Sequence, residues 1–239
     1  MANVMFIFPG QGSQYKGMGK DLIEKSNTVR EIYNKASSVL GYDISELSFH
    51  DKNNEINLTK YTQPVLMTHQ IACYEYFKDF HGGEIKPMLL AGHSLGEYTA
   101  LVVSGSITFE EGISLVSKRG ELMGKHGSGS MLAMPFERES TADIIDQSNC
   151  EIATINQLKQ TVVGGADADI DRLAEQLATD YPRKRTVKLK TEGAFHTSLM
   201  TRAAVEFKEH LNGINFSDMT TPVLSNYSSE IHKLDGTQS

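Results

Sequence analysis

The segment 87–97 constrains the fold of this chain more strongly than any other segment. An apolar run at 87–91 leads directly into Gly-His-Ser-Leu-Gly at 92–96, and a stretch with helical character begins at Glu97. Glycines on both sides of a serine allow a sharp strand-to-helix turn, which holds the serine hydroxyl clear of the sheet edge. The N-terminus of the following helix can stabilise a developing oxyanion. The segment therefore predicts an α/β fold and makes Ser94 a candidate nucleophile for acyl chemistry.

The composition narrows the class of protein. With 239 residues, the chain is long enough to bury a large core. The formal net charge of −7 argues against nucleic acid as a partner, and no apolar run approaches the roughly 20 residues that cross a bilayer. Two cysteines in unlike contexts do not indicate a disulfide framework, and no metal-ligand spacing is present. We expect a cytoplasmic enzyme without a signal peptide, a metal ion or a membrane partner.

The first half of the chain alternates apolar strands with helical patterns. Strands that are apolar throughout and separated by helices indicate a parallel sheet covered on both faces. The predicted strands lie at 4–8 and 87–91, and the predicted helices lie at 21–40, after Pro64, from Glu97 through Val102 and at 109–123.

Shorter elements follow after Lys125, in the order β-α-β-β-α-β that is typical of a ferredoxin-like unit. This order predicts a ferredoxin-like subdomain at 127–191, inserted into a large α/β-hydrolase-like domain made of 1–126 and 192–239. The predicted elements of the subdomain are strand 130–134, helix 140–147, strands 151–155 and 160–164, helix 168–179 and strand 185–189; the large domain resumes with helix 198–211 and strand 222–225.

A serine nucleophile needs a base, and two histidines are candidates. His93 adjoins Ser94 in sequence, but neighbours at such a turn point in different directions, which favours a structural role for His93. His196 lies in the small-residue loop 193–197, where the chain re-enters the large domain, so it could face the turn. The alternative for His196 is an ordinary histidine in a surface loop, and the residues alone leave this open.

Two further features could bind a substrate. Arg119 could grip a carboxylate with two parallel hydrogen bonds, or it could be a solvated cation near a helix end. The glycine-rich loop 10–14 could supply a backbone N–H to an oxyanion hole, or it could be a simple turn. The basic stretch 183–190 could attract an anionic partner, or it could be an edge strand protected by charge.

Five segments stand out together: FPGQGSQ at 8–14, YTQP at 61–64, GHSLGE at 92–97, KRGELM at 118–123 and GAFH at 193–196. Together they resemble the malonyl-CoA:acyl carrier protein transacylases, the acyltransferases of fatty acid and polyketide synthesis. The segments occur in the order of that family and span most of the chain, so the match is far more specific than any single motif. The family also carries an inserted ferredoxin-like subdomain, in agreement with the organisation predicted above.

The resemblance implies catalytic roles for individual residues. Ser94 is expected to form the acyl-enzyme and His196 to act as its base. The backbone amides of Gln11 and Leu95 are expected to form the oxyanion hole. In this family a main-chain carbonyl orients the histidine, so no acidic triad partner is required.

The resemblance also implies how the substrate is chosen. Arg119 is expected to hold the free carboxylate of the malonyl group, and Gln63 to support the site. Leu95 after the serine and Phe195 before the histidine match the malonyl-type members, because a bulky Phe195 leaves little room for a methyl branch. The expected partners are malonyl-CoA and an acyl carrier protein, with the CoA thioester as substrate, no cofactor and a monomeric enzyme.

The chain departs from the family in two places. Family members continue beyond the PVLSN segment at 222–226 with further helices and strands, including the one whose carbonyl orients the histidine. We therefore expect this sequence to be part of a longer protein. Within the small subdomain, the segments 134–136 and 156–158 differ from the usual family wording, so the preference for the acceptor or the acyl group could differ.

Other functions remain open at this stage. An editing acyl hydrolase would use the same Ser94 and His196 but has little need of Arg119. An unrelated α/β-hydrolase would need an acid between serine and histidine in chain order, and Asp143 and Asp146 fall in the inserted subdomain. A non-catalytic docking module that has kept the fold is the remaining class. Whether the acceptor serves fatty acid or polyketide synthesis is also undecided.

Overall fold

The computed structural model describes residues 4–232. The two ends of the chain, on which the expectations about a signal peptide and about further segments rest, lie outside this range. The chain forms two compact units, one made of the residues up to Gly120 and from His210 onward, the other of Glu121–Glu209. The predicted subdomain at 127–191 falls within the second unit. No helix in the described range is long and apolar enough to span a membrane.

The elements alternate between strands and helices in a mixed α/β fold. The strands are β1 (Met5–Phe8), β2 (Leu89–Gly92), β3 (Ser130–Met134), β4 (Glu151–Gln157), β5 (Gln160–Gly165), β6 (Val187–Lys188), β7 (Val223–Leu224) and β8 (Ile231–His232). The helices are α1 (Lys20–Lys25), α2 (Asn27–Leu40), α3 (Ile44–His50), α4 (Thr59–Phe80), α5 (Leu95–Val103), α6 (Phe109–Lys125), α7 (Arg138–Ile145), α8 (Asp167–Asp180) and α9 (Thr201–Leu211).

The sheet of the first unit places the serine-containing turn at its edge. The strand order is β1-β2-β7-β8, in which β1, β2 and β7 run parallel and β8 pairs antiparallel with β7. Because β2 lies between β1 and β7, the ends of both neighbours flank the residues that follow Gly92. The parallel sheet expected from the apolar strands is therefore present, with one antiparallel strand added at its margin.

The helix predicted at 21–40 is two helices, α1 and α2. Ser26 separates them in an extended conformation (φ −139°), and its hydroxyl accepts a hydrogen bond from the backbone N–H of Val29 at 3.2 Å. A serine in this position satisfies one of the free N–H groups at a helix start. Helix α1 therefore ends before Ser26, and Ser26 caps the start of α2. The prediction of one continuous helix was wrong because it weighed only the apolar periodicity.

Helix α4 begins at Thr59 and contains Pro64, whereas the sequence predicted a helix only after that proline. Proline removes one backbone hydrogen bond within a helix, here to the carbonyl of exposed Lys60. Burial of the helix on both sides of the proline outweighs this cost, since α4 is buried almost continuously from Thr62 to Ala72. Helix α3 was not predicted at all, although Asp43 caps it with hydrogen bonds from the N–H groups of Ser45 and Glu46.

The second unit is built on an antiparallel sheet in the order β4-β5-β3-β6. Alternate side chains cover its two faces: Leu132 and Val163 pack with α7 and α8, while Met131 and Val162 pack with Phe195 and its neighbours. The basic segment contributes only the short edge strand β6, in which Lys188 pairs with Asp171 at 2.5 Å. A 3₁₀ turn at Ser198–Met200 precedes α9, in place of the single helix predicted at 198–211.

Candidate active site

Ser94 lies between β2 and α5 in a strained backbone conformation. Its φ is 51° and its ψ is −103°, a region that residues with a side chain rarely adopt. The glycines on either side permit this turn, because a Cβ on Gly92 would clash with the backbone of Gly96, and a Cβ on Gly96 would clash with the carbonyl of Phe8. The sequence thus folds locally into a sharp turn that presents the half-buried Ser94 side chain at the edge of the sheet.

We expect Gly96→Ala to destabilise the protein by about 3 kcal/mol, because the added methyl group meets the backbone of β1, which cannot rotate away. Urea unfolding followed by circular dichroism measures this change. Gly124→Ala is the matched control: a Cβ at this position in α6 has no neighbour closer than 3.9 Å, so the variant should be as stable as the wild type or more so. Equal stability of the two variants would show that the close approach at Gly96 is not needed.

The loop after β1 is fixed against the serine-containing turn. A Cβ on Gly10 would lie 2.6 Å from the carbonyl oxygen of His93, so the two backbones approach closely there. Gln70 on α4 donates to the Pro9 carbonyl at 2.7 Å and accepts from Thr99 on α5 at 2.5 Å, and this buried bridge holds the loop in place. The alternative base, His93, is exposed.

Two backbone N–H groups are available to a ligand, one in the loop after β1 and one at the start of α5. The amides of Gln11 and Leu95 donate no hydrogen bond to another residue in the range 4–232. The Gln11 side chain donates to Thr59 at 3.3 Å, which anchors the residue to the start of α4. Leu95 is the first residue of α5, so its N–H belongs to the positive end of the helix dipole. These groups are of the kind that stabilise an oxyanion.

Arg119 on α6 links the nucleophile to α4. One guanidinium nitrogen (Nη2) donates to Ser94 Oγ at 3.1 Å, and the other (Nη1) donates to the buried Gln63 Oε1 at 2.9 Å. Its Cζ lies 5.5 Å from the ring centroid of Tyr98, and the Tyr98 hydroxyl also shares a hydrogen bond with the guanidinium. The structure therefore brings Ser94, Arg119 and Gln63 together, and Arg119 is not the solvated helix-end cation that was the alternative.

The charges around Arg119 are poorly solvated. Burial lowers the pKa of the Arg119 guanidinium from its usual value, although arginine still keeps its charge at neutral pH. Burial also raises the pKa of the Tyr98 hydroxyl and of the Glu97 carboxyl. A poorly solvated cation that lacks a full complement of anionic partners attracts a carboxylate, because the two can form two parallel charge-assisted hydrogen bonds.

The sequence did not reveal Asn226, which lies just beyond β7. Its Oδ1 accepts a hydrogen bond from the Ser94 N–H at 2.8 Å, across 132 positions of the chain. The backbone N–H of Asn226 donates to Glu97 Oε1 at 3.2 Å. Nothing in the local pattern marks this residue, because the contact depends on the parallel pairing of β2 with β7.

His196 and Phe195 belong to the second unit. His196 is exposed and has a positive φ of 63°. The loop around it is held by a hydrogen bond from Ala194 N–H to the Ser128 carbonyl at 2.8 Å and by one from Thr197 Oγ1 to the Ala194 carbonyl at 2.6 Å. Phe195 is 5% exposed and packs among the apolar residues Met123, Met131, Val162 and Met200. The burial of Phe195 fixes the loop from which the neighbouring imidazole projects.

Residues 4–232 contain no cluster of three or more histidine, cysteine, aspartate or glutamate side chains able to hold a metal ion. The groups at the serine turn are a hydroxyl beside a cation, together with two backbone N–H donors.

Comparison with known proteins matches residues 5–238 to the acyl transferase domain family. A malonyl CoA-acyl carrier protein transacylase of Bacillus subtilis is 37% identical over an alignment of 240 positions, which covers 97% of this chain and 74% of the relative. A polyketide biosynthesis malonyl CoA-acyl carrier protein transacylase of the same organism is 36% identical over 227 residues, covering 93% of this chain and 77% of the relative.

Solved structures of the same kind of enzyme superpose closely on this chain. A malonyl CoA-acyl carrier protein transacylase from Burkholderia pseudomallei superposes with a TM-score of 0.87 at 36% identity, covering 94% of this chain and 76% of that one. A malonyl-transacylase in complex with its type II polyketide acyl-carrier protein superposes with a TM-score of 0.90 at 32% identity, covering 97% of this chain and 77% of that one.

Proposed function

The chain belongs to the acyl transferase domain family, and from that premise we propose that it transfers a malonyl group from malonyl-CoA to the phosphopantetheine thiol of an acyl carrier protein. The observation that carries the proposal is the pair of hydrogen bonds from Arg119, one to Ser94 Oγ and one to Gln63. They put a partly buried cation beside the nucleophile, where the free carboxylate of a malonyl group would lie. A simple acyl hydrolase has no need of such a cation.

In the first half-reaction, Ser94 Oγ attacks the thioester carbonyl of malonyl-CoA while His196 takes the hydroxyl proton. The carbonyl oxygen becomes an oxyanion, and the N–H groups of Gln11 and Leu95 stabilise it. When the carbon–sulfur bond breaks, CoA leaves as the thiol, with its proton supplied by His196. The product is a malonyl ester on Ser94.

In the second half-reaction, the phosphopantetheine thiol of the carrier protein attacks the ester carbonyl. His196 takes the thiol proton and returns it to Ser94 Oγ as the carbon–oxygen bond breaks. The malonyl group leaves as a thioester of the carrier, and the free enzyme is regenerated. CoA and the carrier are substrates in this scheme, so no cofactor is required, and the reaction takes place in the cytoplasm.

Arg119 accounts for the selection of a dicarboxylic acyl group. A malonyl carboxylate would replace Ser94 Oγ as the partner of Arg119, with Gln63 keeping the guanidinium in position. An acetyl group leaves the cation without this partner, which raises the free energy of the transition state for acetyl transfer. Phe195 is proposed to select against a methyl branch, because a bulky side chain directly before His196 leaves little room for one.

We also propose the finer description of the fold, an α/β-hydrolase-like domain with a ferredoxin-like subdomain. The parallel strands β1, β2 and β7, with the serine turn after β2, support the first part. The antiparallel order β4-β5-β3-β6 supports the second part, because it arises when a β-α-β-β-α-β chain places its third strand between the first two.

The test is a transfer assay with radiolabelled malonyl-CoA and a phosphopantetheinylated carrier protein. We expect label to accumulate on the carrier much faster than free malonate appears in solution. The same carrier without phosphopantetheine is the matched control and should take up no label. Release of malonate at the same rate with and without a carrier would contradict transfer and would favour the editing hydrolase.

A further inference from the structure

We propose that Asn226 is a positioning residue that holds the strained serine turn in the conformation needed for acylation. This inference rests on the proposed function, because it assigns the step that Asn226 serves. It concerns a residue outside the five segments on which the resemblance was based, and the contact is made by a side chain that reaches Ser94 from across 132 positions of the chain.

Asn226 contacts the serine turn at two points. Its Oδ1 accepts from Ser94 N–H at 2.8 Å, and its own N–H donates to Glu97 Oε1 at 3.2 Å. Ser94 precedes α5 and Glu97 lies in the first turn of that helix. The two hydrogen bonds therefore fix the nucleophile and the start of the helix against the same residue.

The turn that carries Asn226 is itself well ordered by hydrogen bonds. The buried Ser225 accepts from the N–H groups of Tyr227 and Ser228 through its hydroxyl, each at 3.2 Å. The Ser225 N–H donates to the Glu230 carbonyl at 2.8 Å, which closes the turn between β7 and β8. Because β7 pairs in parallel with β2, with Leu224 opposite Ala91, this turn begins directly beside the residues that follow β2.

The hydrogen bond to Ser94 has a specific physical consequence. A positive φ costs a residue with a side chain of order 1 kcal/mol or more unless its surroundings hold it there, and the hydrogen bond from the Ser94 N–H to Asn226 Oδ1 helps to hold Ser94 in that conformation. The Leu95 N–H, the next one along the chain, donates no hydrogen bond to another residue in the range 4–232 and is therefore open to a substrate. Asn226 thus favours the arrangement in which Ser94 Oγ and the oxyanion donor face the same carbonyl.

Asn226 is exposed, so its replacement should change the turn without disturbing the core. The test compares Asn226→Ala, which removes the acceptor, with Asn226→Asp, which keeps an oxygen in the same place. Tyr227→Ala is the matched control, since Tyr227 is the adjacent residue of the turn and is 98% exposed. Three measurements are made on each variant: the rate of acylation over a range of malonyl-CoA concentrations, which gives the KM; the rate of labelling by a fluorophosphonate that reacts with nucleophilic serines; and hydrogen exchange of the Ser94 amide.

We expect Asn226→Ala to slow both acylation and fluorophosphonate labelling about tenfold, with the KM for malonyl-CoA unchanged. The Ser94 amide should exchange faster in this variant and stay protected in Asn226→Asp, whereas Tyr227→Ala should match the wild type in all three measurements. Wild-type rates in Asn226→Ala with a protected Ser94 amide would overturn the inference. An equal loss in Tyr227→Ala would also overturn it, because the effect would then come from the turn as a whole.

The two reactions separate this inference from the proposed function. A wild type that labels with the fluorophosphonate, responds to Asn226→Ala and forms no malonyl-enzyme would keep the positioning role and contradict the transferase. If the wild type forms the malonyl-enzyme and Asn226→Ala forms it at the same rate, the transferase is supported and the positioning role is contradicted. A wild type that reacts with neither reagent would overturn both.

Discussion

Replacing Ser94 with alanine is expected to lower the rate of malonyl transfer by at least about 10⁴-fold, because the covalent intermediate can no longer form. The backbone donors at Gln11 and Leu95 would remain, but in the proposed mechanism they act on an oxyanion that forms only after a nucleophile has attacked. The variant should still fold, since the Ser94 side chain makes no contribution to the hydrophobic clusters of the first unit.

The loss is measured as the rate at which radiolabelled malonyl groups accumulate on the carrier protein. Ser114→Ala is the matched control, because Ser114 is an exposed serine on α6 and its removal should leave the rate unchanged. Circular dichroism with a thermal melt checks that the fold of Ser94→Ala is intact. Transfer at more than a hundredth of the wild-type rate by a folded Ser94→Ala protein would assign the chemistry to another residue.

Replacing Arg119 with alanine is expected to remove the preference for malonyl-CoA over acetyl-CoA. The kcat/KM for malonyl-CoA should fall by about 10²–10³-fold, the usual range when one partner of a desolvated charge pair is deleted. The kcat/KM for acetyl-CoA should stay the same or rise, since no unpaired cation then faces the methyl group. Arg119→Lys should recover only part of the malonyl activity, because an ammonium cannot donate to Gln63 and to a carboxylate with the planar fork of a guanidinium.

The measurement is the ratio of kcat/KM for the two thioesters in each variant. Arg172→Ala is the matched control, because Arg172 is an exposed arginine on α8 whose partner is Asp169 at 3.1 Å on the same helix. We expect that variant to keep the wild-type ratio. If Arg119→Ala retained the wild-type preference for malonyl-CoA, the carboxylate would have to be recognised elsewhere in the protein.

Local sequence patterns were enough to predict most of the elements near the site. Strand 130–134 agrees with β3 residue for residue. The glycines at 92 and 96 correctly predicted the sharp turn, in which neighbouring backbone leaves no room for a Cβ at either position. The errors concern where helices begin and end, which capping and tertiary packing determine. Ser26 splits a predicted helix by capping, and tertiary packing carries α4 through Pro64 despite a lost hydrogen bond.

The side chains around Ser94 were harder to predict, because their proximity depends on the parallel sheet. The residues alone gave Arg119 two possible roles, and only the family resemblance favoured the one beside the nucleophile. The contact between Ser94 and Asn226 requires the pairing of β2 with β7, two short strands far apart in sequence. No motif near Ser94 or Asn226 indicates that β2 pairs with β7, so this contact could not be predicted from the sequence.

The central claim is that Ser94 carries a malonyl group between two substrates. The most direct measurement is the intact mass of the protein after brief exposure to malonyl-CoA without a carrier, followed by peptide mapping of the adduct. We expect one malonyl group per chain, located on Ser94, that disappears when a phosphopantetheinylated carrier protein is added and reappears on that carrier. An unmodified protein that nevertheless transfers malonyl groups, or an adduct on any other residue, would contradict the account.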